Sequence, residues 1–279
     1  MKVLAAGASG QFAHRIVPAL TARGVDVRAM IHTPAKADVA RRYGATEISH
    51  ADLVDKTSLR RAMEGVDGVF LITPAFHPDA TQMGLNMVRA AIASDVTKVV
   101  YNGVYHPSLS LINHAGTRPI EEALYRSDLD FTILEPAMYM QGLANTYYQA
   151  LRTGRVVMPW SKWSKMTYVD YRDVAQVAAI AFTSDRLAHG TFELAADGMT
   201  DRNQVAELMS RAAARELVAA DVETAQRVDV SDGLRAMFTD YDRFGFHGGN
   251  SLVLRTILGR EPCSLSDYIF ELAEAPEAP

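Results

Sequence analysis

The sequence contains a single cysteine, Cys263, among 279 residues, so no intramolecular disulfide framework can form. That usage suits a reducing compartment without requiring one. Long apolar runs are also missing. Nothing approaches the ~18 uninterrupted apolar residues of a membrane span. The opening MKVLAAGASG meets glycines before it could act as a signal-peptide core. The expectation is a cytoplasmic protein with no membrane association. Basic residues are not in excess: 28 Lys and Arg against 33 Asp and Glu give a net charge of −5. That balance leaves no electrostatic footprint for nucleic acid. No spacing of His, Cys, Asp and Glu points to a metal, and no Gly-x-Ser-x-Gly elbow points to a hydrolase. Internal repeats are absent.

What the chain does have is alternation. Short apolar runs at Val3–Ala6, Val25–Ile31, Thr46–Ser49, Gly68–Thr73, Val96–Asn102 and Phe131–Leu134 are separated by amphipathic segments. Those segments, Gln11–Arg23, Ala35–Tyr43, Lys56–Met63, Asp79–Ser94 and Arg118–Ser127, carry helical periodicity. Near-continuous apolar strands between helical crossovers predict a parallel sheet covered on both faces. The fold class is therefore α/β: a doubly wound parallel-sheet Rossmann fold with a small C-terminal α+β substrate domain. After Pro136 the pattern predicts a helix over Tyr139–Leu151, then a polar loop Pro159–Lys165 with Trp160 and Trp163. A strand at Met166–Val169 leads into a helix over Asp170–Thr183 and is expected to rejoin the main sheet. A strand at Thr191–Leu194 and a helix over Arg202–Arg215, capped by Thr200 or Asp201, follow. From Asp221 the tail reads as short helices around a glycine-rich loop, with Ala273–Pro279 frayed. The expected division is 1–136 with about 166–190 as the dinucleotide-binding domain, and 137–165 with 191–279 as the smaller one.

The first strand runs into Gly7-Ala8-Ser9-Gly10-Gln11-Phe12-Ala13. Small residues there let the backbone turn tightly against a pyrophosphate, which the free N–H groups of a helix start would hold. A loop that merely turns is the plainer alternative; the βαβ context favours the cofactor. The second strand ends in Ile31-His32-Thr33-Pro34-Ala35-Lys36, where an NAD-preferring domain usually carries a carboxylate for the ribose 2′-hydroxyl. No carboxylate stands there to repel a 2′-phosphate, and His32, Thr33 and Lys36 can donate to one. NADP(H) is favoured, with NAD(H) open; Lys36 otherwise reads as the start of a solvated helix face. Asp52-Leu53 after the third strand fits the adenine edge, or Asp52 is a helix cap. Thr73-Pro74 after the fourth lies where ribose and pyrophosphate pass.

Several motifs in order resemble the NmrA-like group of atypical short-chain dehydrogenase/reductases. They are Gly7–Ala13, Asp52-Leu53, Val100–Pro107, Ile120–Leu124, Phe131–Pro136 with Tyr139-Met140-Gln141, Tyr168–Ala175, and Tyr241–Phe246 to Arg260–Pro262. The resemblance spans nearly the whole chain. It implies a Rossmann domain, a smaller substrate domain and a cleft between them. Such proteins include quinone oxidoreductases, triphenylmethane reductases, relatives of isoflavone reductase, and redox-sensing regulators that do not turn the dinucleotide over. Many of them carry a Lys one helical turn before the first Glu of the pair at Glu121-Glu122; here that position is Thr117. Nor is there the Tyr-x-x-x-Lys pair of ordinary short-chain dehydrogenases.

Asn102, Tyr105 and His106 follow the fifth strand, and Glu135, Tyr139 and Gln141 end or follow the sixth, facing the expected nicotinamide. Tyr105, Tyr139 and His106 are the candidate catalytic residues, with His114 a further group able to act near neutral pH. The bland readings are an inter-domain packing aromatic for Tyr139 and a turn residue for His106. Asn102 and Thr117 join the cofactor set, Thr117 through its hydroxyl or simply as a helix start. Phe76, Tyr147, Trp160, Trp163, Phe244 and Phe246 are expected to form an aromatic wall for a flat substrate. The leading expectation is an NADPH-dependent reductase of a quinone- or enone-like small molecule. The alternatives are a non-catalytic NADP(H)-binding sensor, or an isomerase or lyase on the same fold. A homodimer stays open.

Overall fold

Val3, Leu4, Ala5, Val27, Ala29, Val99 and Val100 are all essentially without solvent contact, because strands covered on both faces need apolar residues at consecutive positions. In the computed structural model, which describes residues 1–10, 13–221 and 230–274, these runs form a seven-stranded sheet. Its strands are β1 (Lys2–Ala5), β2 (Asp26–Ile31), β3 (Glu47–His50), β4 (Gly68–Ile72), β5 (Lys98–Asn102), β6 (Asp130–Pro136) and β10 (Gly190–Leu194). The order is β10-β6-β5-β4-β1-β2-β3. β1 pairs in parallel with both β2 and β4, and the parallel ladder runs on through β5 to β6. Chain direction across the sheet reverses between β1 and β4, the crevice where open α/β sheets bind ligands.

The helices accompanying the sheet are α1 (Ile16–Thr21), α2 (Ala37–Arg42), α3 (Lys56–Met63), α4 (Ala80–Ile92), α5 (Ile112–Ala115), α6 (Arg118–Tyr125) and α8 (Tyr171–Thr183). α3, α4 and α6 pack in series over a core containing Leu59, Met63, Leu71, Met87, Tyr101, Ile120 and Leu124. Gly84 permits the α4–α6 approach, since a side chain there would run into Ile120. α1 packs on α8. α8 is buried around most of its circumference, from Val174 through Phe182, which is why its sequence lacks a polar stripe.

The chain divides into two compact units. One comprises Met1–Pro136 and Tyr171–Glu193; the other comprises Ala137–Asp170 and the described residues from Leu194 on. The second unit holds two short parallel pairs. β7 (Met138–Tyr139) lies beside β9 (Tyr168–Val169), and β8 (Arg155–Val157) beside β11 (Val218–Ala220). Its helices are α7 (Leu143–Thr153), α9 (Arg202–Ala213), α10 (Asp232–Phe244), α11 (Leu252–Leu258) and α12 (Leu265–Glu274).

The structure departs from three expectations. Tyr139 does not begin a helix: Met138-Tyr139 is extended and paired, Met140–Gly142 is a single 3₁₀ turn, and α7 starts at Leu143. The run Met166–Val169 does not rejoin the main sheet, because β10 already occupies the edge beside β6. The first helix is also shorter than its periodicity suggested, with a 3₁₀ turn at Ala13–Arg15 ahead of α1.

α9 carries the anchor of the second unit. Asp201 caps it in a full capping box, its carboxylate accepting from the Gln204 N–H while Gln204 accepts from the Asp201 N–H. The next residue, Arg202, is wholly buried. Its guanidinium donates to the carbonyls of Met158 (2.9 Å) and Ala220, joining α9 to the ends of β8 and β11. Asp201 also pairs with Lys165 at 3.0 Å. Asp201→Ala is expected to lower stability by about 1 kcal/mol, the usual worth of a cap, and Asp201→Asn by only a fraction of that. Urea unfolding of both variants checks it; equal losses would assign the effect to the Lys165 pair and not to the cap.

Candidate active site

β1 delivers the chain to a turn only glycine accommodates. The Ala6 N–H still bonds to the Phe70 carbonyl (3.0 Å), and Gly7 then adopts φ +70°. The Gly10 N–H donates back to the Gly7 carbonyl at 2.7 Å, and a Cβ on Gly10 would stand 3.0 Å from that oxygen. Any side chain at position 10 would open the turn. Ala8 is buried, while Ser9 is partly open. Gln11 and Phe12 lie outside the described residues. His14 Nδ1 sits 2.9 Å from the Gly10 carbonyl and its ring stacks on Tyr43; Arg15 reaches His14 Nε2 at 3.2 Å. This places a guanidinium beside the glycine turn, which reading the motif alone did not register.

At the end of β2, His32, Thr33 and Lys36 are exposed, Lys36 closing the 3₁₀ turn Pro34–Lys36. His32 Nδ1 lies 3.7 Å from Asp52, so the two strand ends come together. Asp52 is not the cap of α3. Its carboxylate accepts from the Val54 N–H at 3.0 Å, and the cap is Asp55, which accepts from Thr57 at 2.9 Å. Leu53 is half-buried and its carbonyl receives Asn86 Nδ2 at 3.0 Å. Thr73 is half-buried and Pro74 exposed beyond β4.

The exits of β5 and β6 stay in register past the strands. The Gly103 N–H donates to the Leu134 carbonyl (2.8 Å) and the Tyr105 N–H to the Pro136 carbonyl (3.1 Å). Tyr105 is thereby held beside Glu135, and Asn102, Tyr105 and Glu135 are all buried. His106 follows at φ +56° immediately before Pro107, a conformation that costs an L residue roughly 1–2 kcal/mol. Three contacts hold it. His106 Nδ1 is 2.9 Å from Glu193 of β10, its ring lies 4.0 Å from that of Tyr105, and its carbonyl is 3.1 Å from Nδ1 of the buried His114. Thr117, at the start of α6, donates its hydroxyl to the His114 carbonyl at 2.9 Å. Tyr105, His106, His114, Thr117 and Asn102 therefore gather at one edge of the first unit. Tyr139 belongs to β7 of the second unit, where the nearby Gln141 donates to Asp170 at 2.8 Å.

The electrostatics of this edge are set by carboxyls. Glu135 is 6% exposed and Glu121, in the first turn of α6, is 5% exposed. Neither makes an ion pair among the described residues. Burial, then the charges of Glu121 and Glu193, push the Glu135 carboxyl up to about 8. Burial also raises Glu121, against the opposing pull of Thr117 and Arg118. Burial, with Glu193 and Glu135, raises the Tyr105 phenol to about 12.

Glu121 and Glu193 were not singled out from the sequence. The signal for Glu121 was there: Ile120, Glu121 and Leu124 share a helical face, so Glu121 faces the core with its apolar neighbours. Glu193 lies on an alternating edge strand, where a carboxylate is unremarkable. Of the residues expected to form an aromatic wall, Phe76 lies in the first unit and the others in the second. Tyr147, Trp160 and Phe246 are core residues of the second unit, with Trp160 packed edge-on to Tyr241 at 5.9 Å. Trp163 and Phe244 are exposed.

Comparison with known proteins completes the description. Residues 1–248 match the model of the NmrA-like family. Quinone oxidoreductase 2 of Escherichia coli K12 is 24% identical, over 95% of this chain and 96% of its own. The crystal structure of the NADPH-dependent quinone oxidoreductase of E. coli with NADPH superimposes with a TM-score of 0.83 at 23% identity, covering 97% and 99% of the two chains. Triphenylmethane reductase of Citrobacter sp. gives 0.83 at 19% identity, over 99% and 100%. The negative transcriptional regulator NmrA with NAD gives 0.79 at 17%, over 98% and 95%. At these identities the structural likenesses establish the fold.

A raised carboxyl makes stability fall with pH. Below about 4.5, its ordinary value, Glu135 is neutral folded or unfolded. Between there and about 8 the unfolded chain releases a proton that the folded one keeps. Glu135→Gln is therefore expected to gain stability over the wild type as pH rises through that window, by about 3 kcal/mol near neutrality, and nothing near pH 4. Thermal unfolding of both proteins across the range checks this; parallel curves would refute it.

Proposed function

We propose that this chain, which belongs to the NmrA-like family, is an NADPH-dependent reductase of a quinone-like or other conjugated carbonyl compound. The observation that carries the reading is the glycine turn at the switch point of the sheet, on the same edge as a buried phenol–carboxyl cluster. What supports a dinucleotide there is the tight turn, where a Cβ at position 10 would stand 3.0 Å from the Gly7 carbonyl, and the end of β2, which offers Thr33 and Lys36 in place of a carboxylate.

Gly7, Ala8, Ser9 and Gly10 would face the pyrophosphate through their backbone. Thr33 and Lys36 would hold the 2′-phosphate, with Asp52 and Leu53 at the adenine side. Thr73, Pro74, Asn102 and Thr117 would line the path to the nicotinamide. Bound NADPH supplies the hydride. The chain must supply orientation and one proton, and Tyr105, Tyr139 and His106 are the candidate donors. Thr117, whose hydroxyl is given to the His114 carbonyl, is a poor source. The E. coli and Citrobacter relatives are named for reductions of quinones and triphenylmethane dyes, which supports a flat conjugated substrate. Among the described residues no helix is long and apolar enough to cross a membrane; the setting we infer is cytoplasmic and the partner a small molecule.

A sensor without turnover is the second reading, and Thr117 favours it, because the ammonium many relatives place there is missing. Titration of Trp fluorescence with NADPH and NADH separates the cofactors. NADPH is expected to bind at least ~10-fold more tightly, and Lys36→Ala to remove most of that preference, about 1 kcal/mol, while leaving NADH nearly unchanged. Equal affinities would sink the 2′-phosphate site. Saturable NADPH binding without NADPH oxidation by any quinone or enone would favour the sensor.

A further inference from the structure

Helices α3 and α4 pack side by side in the first unit and leave between them a cleft of about 110 Å³. Six residues line it: Lys56 and Arg60 of α3, Asn86, Arg89 and Ala90 of α4, and Ala93 just beyond. Helical spacing explains the grouping, because residues three or four apart share a face. The two alanines hold the cleft open, being too short to fill it. No carboxylate lines it. Lys56, Arg60 and Arg89 are exposed, and none of their side chains makes an ion pair or hydrogen bond among the described residues. Several other cations of this unit have a carboxylate: Lys2 and Arg28 meet Glu47, Lys98 meets Asp130, and Arg126 meets Glu122. Three unmatched cations in one cleft concentrate positive charge in a chain whose net charge is −5. Lys56 and Arg60 stand one helical turn apart, where like charges repel unless an anion lies between them.

Asn86 adds a donor from the buried side. It is 4% exposed and its amide is fixed: Oδ1 accepts from Gln82 Nε2 at 2.8 Å, and Nδ2 gives one hydrogen to the Leu53 carbonyl at 3.0 Å. A carbonyl can only accept, so Nδ2 must be the atom that faces it. The second hydrogen of that nitrogen has no acceptor among the described residues.

We propose that this cleft binds a phosphate group, either free phosphate or the terminal group of a small phosphorylated metabolite. Arg60 and Arg89 would present their forked N–H groups to its oxygens, Lys56 would supply a third charge, and Asn86 a neutral hydrogen bond. A phosphate monoester carries about −1.5 to −2 charges and three acceptor oxygens at neutrality, which this donor set matches in sign and number. Size sets the limit. The cleft has roughly the volume of three or four water molecules, well short of the roughly 300 Å³ of the smallest drug-sized pockets. A phosphate group fits, a nucleoside or a second dinucleotide does not, and any remainder of the ligand extends into solvent. The site is separate from the reductase reading and stands or falls without it.

Isothermal titration calorimetry of the whole protein at fixed, low ionic strength tests this with inorganic phosphate, glycerol phosphate and malonate, a dicarboxylate of similar charge. The expected result is one saturable site for phosphate or glycerol phosphate and none for malonate. Arg89→Gln should weaken binding about 10-fold, and Arg60→Gln combined with Arg89→Gln should remove it. Lys36→Ala, at the 2′-phosphate position of the proposed cofactor site, should leave it unchanged. Tighter binding of glycerol phosphate makes a phosphorylated metabolite the ligand; tighter binding of phosphate makes it the free ion. Saturation by neither ligand up to about 10 mM, where even a millimolar site would fill, overturns the proposal. So does malonate binding as tightly as phosphate. Phosphate binding that survives the double substitution, or that Lys36→Ala abolishes, places the ion elsewhere and overturns it too. All the substituted side chains are exposed, so the variants report on binding and not on folding.

Discussion

A strand buried on both faces leaves room for chemistry only at its ends, and that constraint organises this protein. β1, β4, β5 and β6 are mostly apolar and buried in their middles because helices cover both sides. Backbone polar groups are satisfied within the ladder until each strand stops. At those stops the chain must turn, expose N–H and C=O groups, and place side chains with no partner strand. The glycine turn after β1, the His32–Asp52 approach after β2 and β3, and the Tyr105–Pro136 backbone bond after β5 and β6 are three solutions to one problem. They share an edge because the strands are parallel. The same constraint explains the strained His106. The chain leaving β5 keeps its register with β6 through Tyr105 and must then break away sharply, and a positive φ before Pro107 is that break.

The sheet was legible because its signals are local and repeated. Six apolar runs with helical segments between them admit few architectures, and each run found its strand within a residue or two. The glycine turn was equally legible, since its spacing and its place after β1 are both written in the first ten residues. What could not be read was anything depending on which distant segment claims an edge. Met166–Val169 has the composition of a main-sheet strand. Only the presence of β10 beside β6 sends it to Met138-Tyr139 instead. Trp160 and Trp163 look alike in a polar loop, yet one packs on Tyr241 and the other is exposed. Asp52 was read as a possible cap, yet its carboxylate accepts from Val54 and the cap is Asp55, three residues on.

The site was half legible for a related reason. Residue types that advertise chemistry, Tyr105 and His106, stand out after a strand. A glutamate on a helix does not, until its face is known. Glu121 is invisible as a functional residue if helix α6 is treated as surface, and conspicuous once Ile120 and Leu124 are seen to bury the same side. Glu135 was visible as a carboxyl at the end of an apolar strand, but its electrostatics depend on Glu121 and Glu193, which come from α6 and β10. Pairwise charge effects between remote segments leave no trace in local periodicity.

Thr117 ties these observations together. A lysine at that position would stand four residues before Glu121, one turn along the same helix, where opposite charges attract. It would hold Glu121 as a carboxylate. With threonine there, the hydroxyl donates to the His114 carbonyl, and burial of Glu121 is opposed by a side-chain hydrogen bond with Thr117 and then by the charge of Arg118. The net result is a Glu121 carboxyl raised above its ordinary range. Without a lysine at position 117, burial is the leading influence on Glu121, as it is on Glu135.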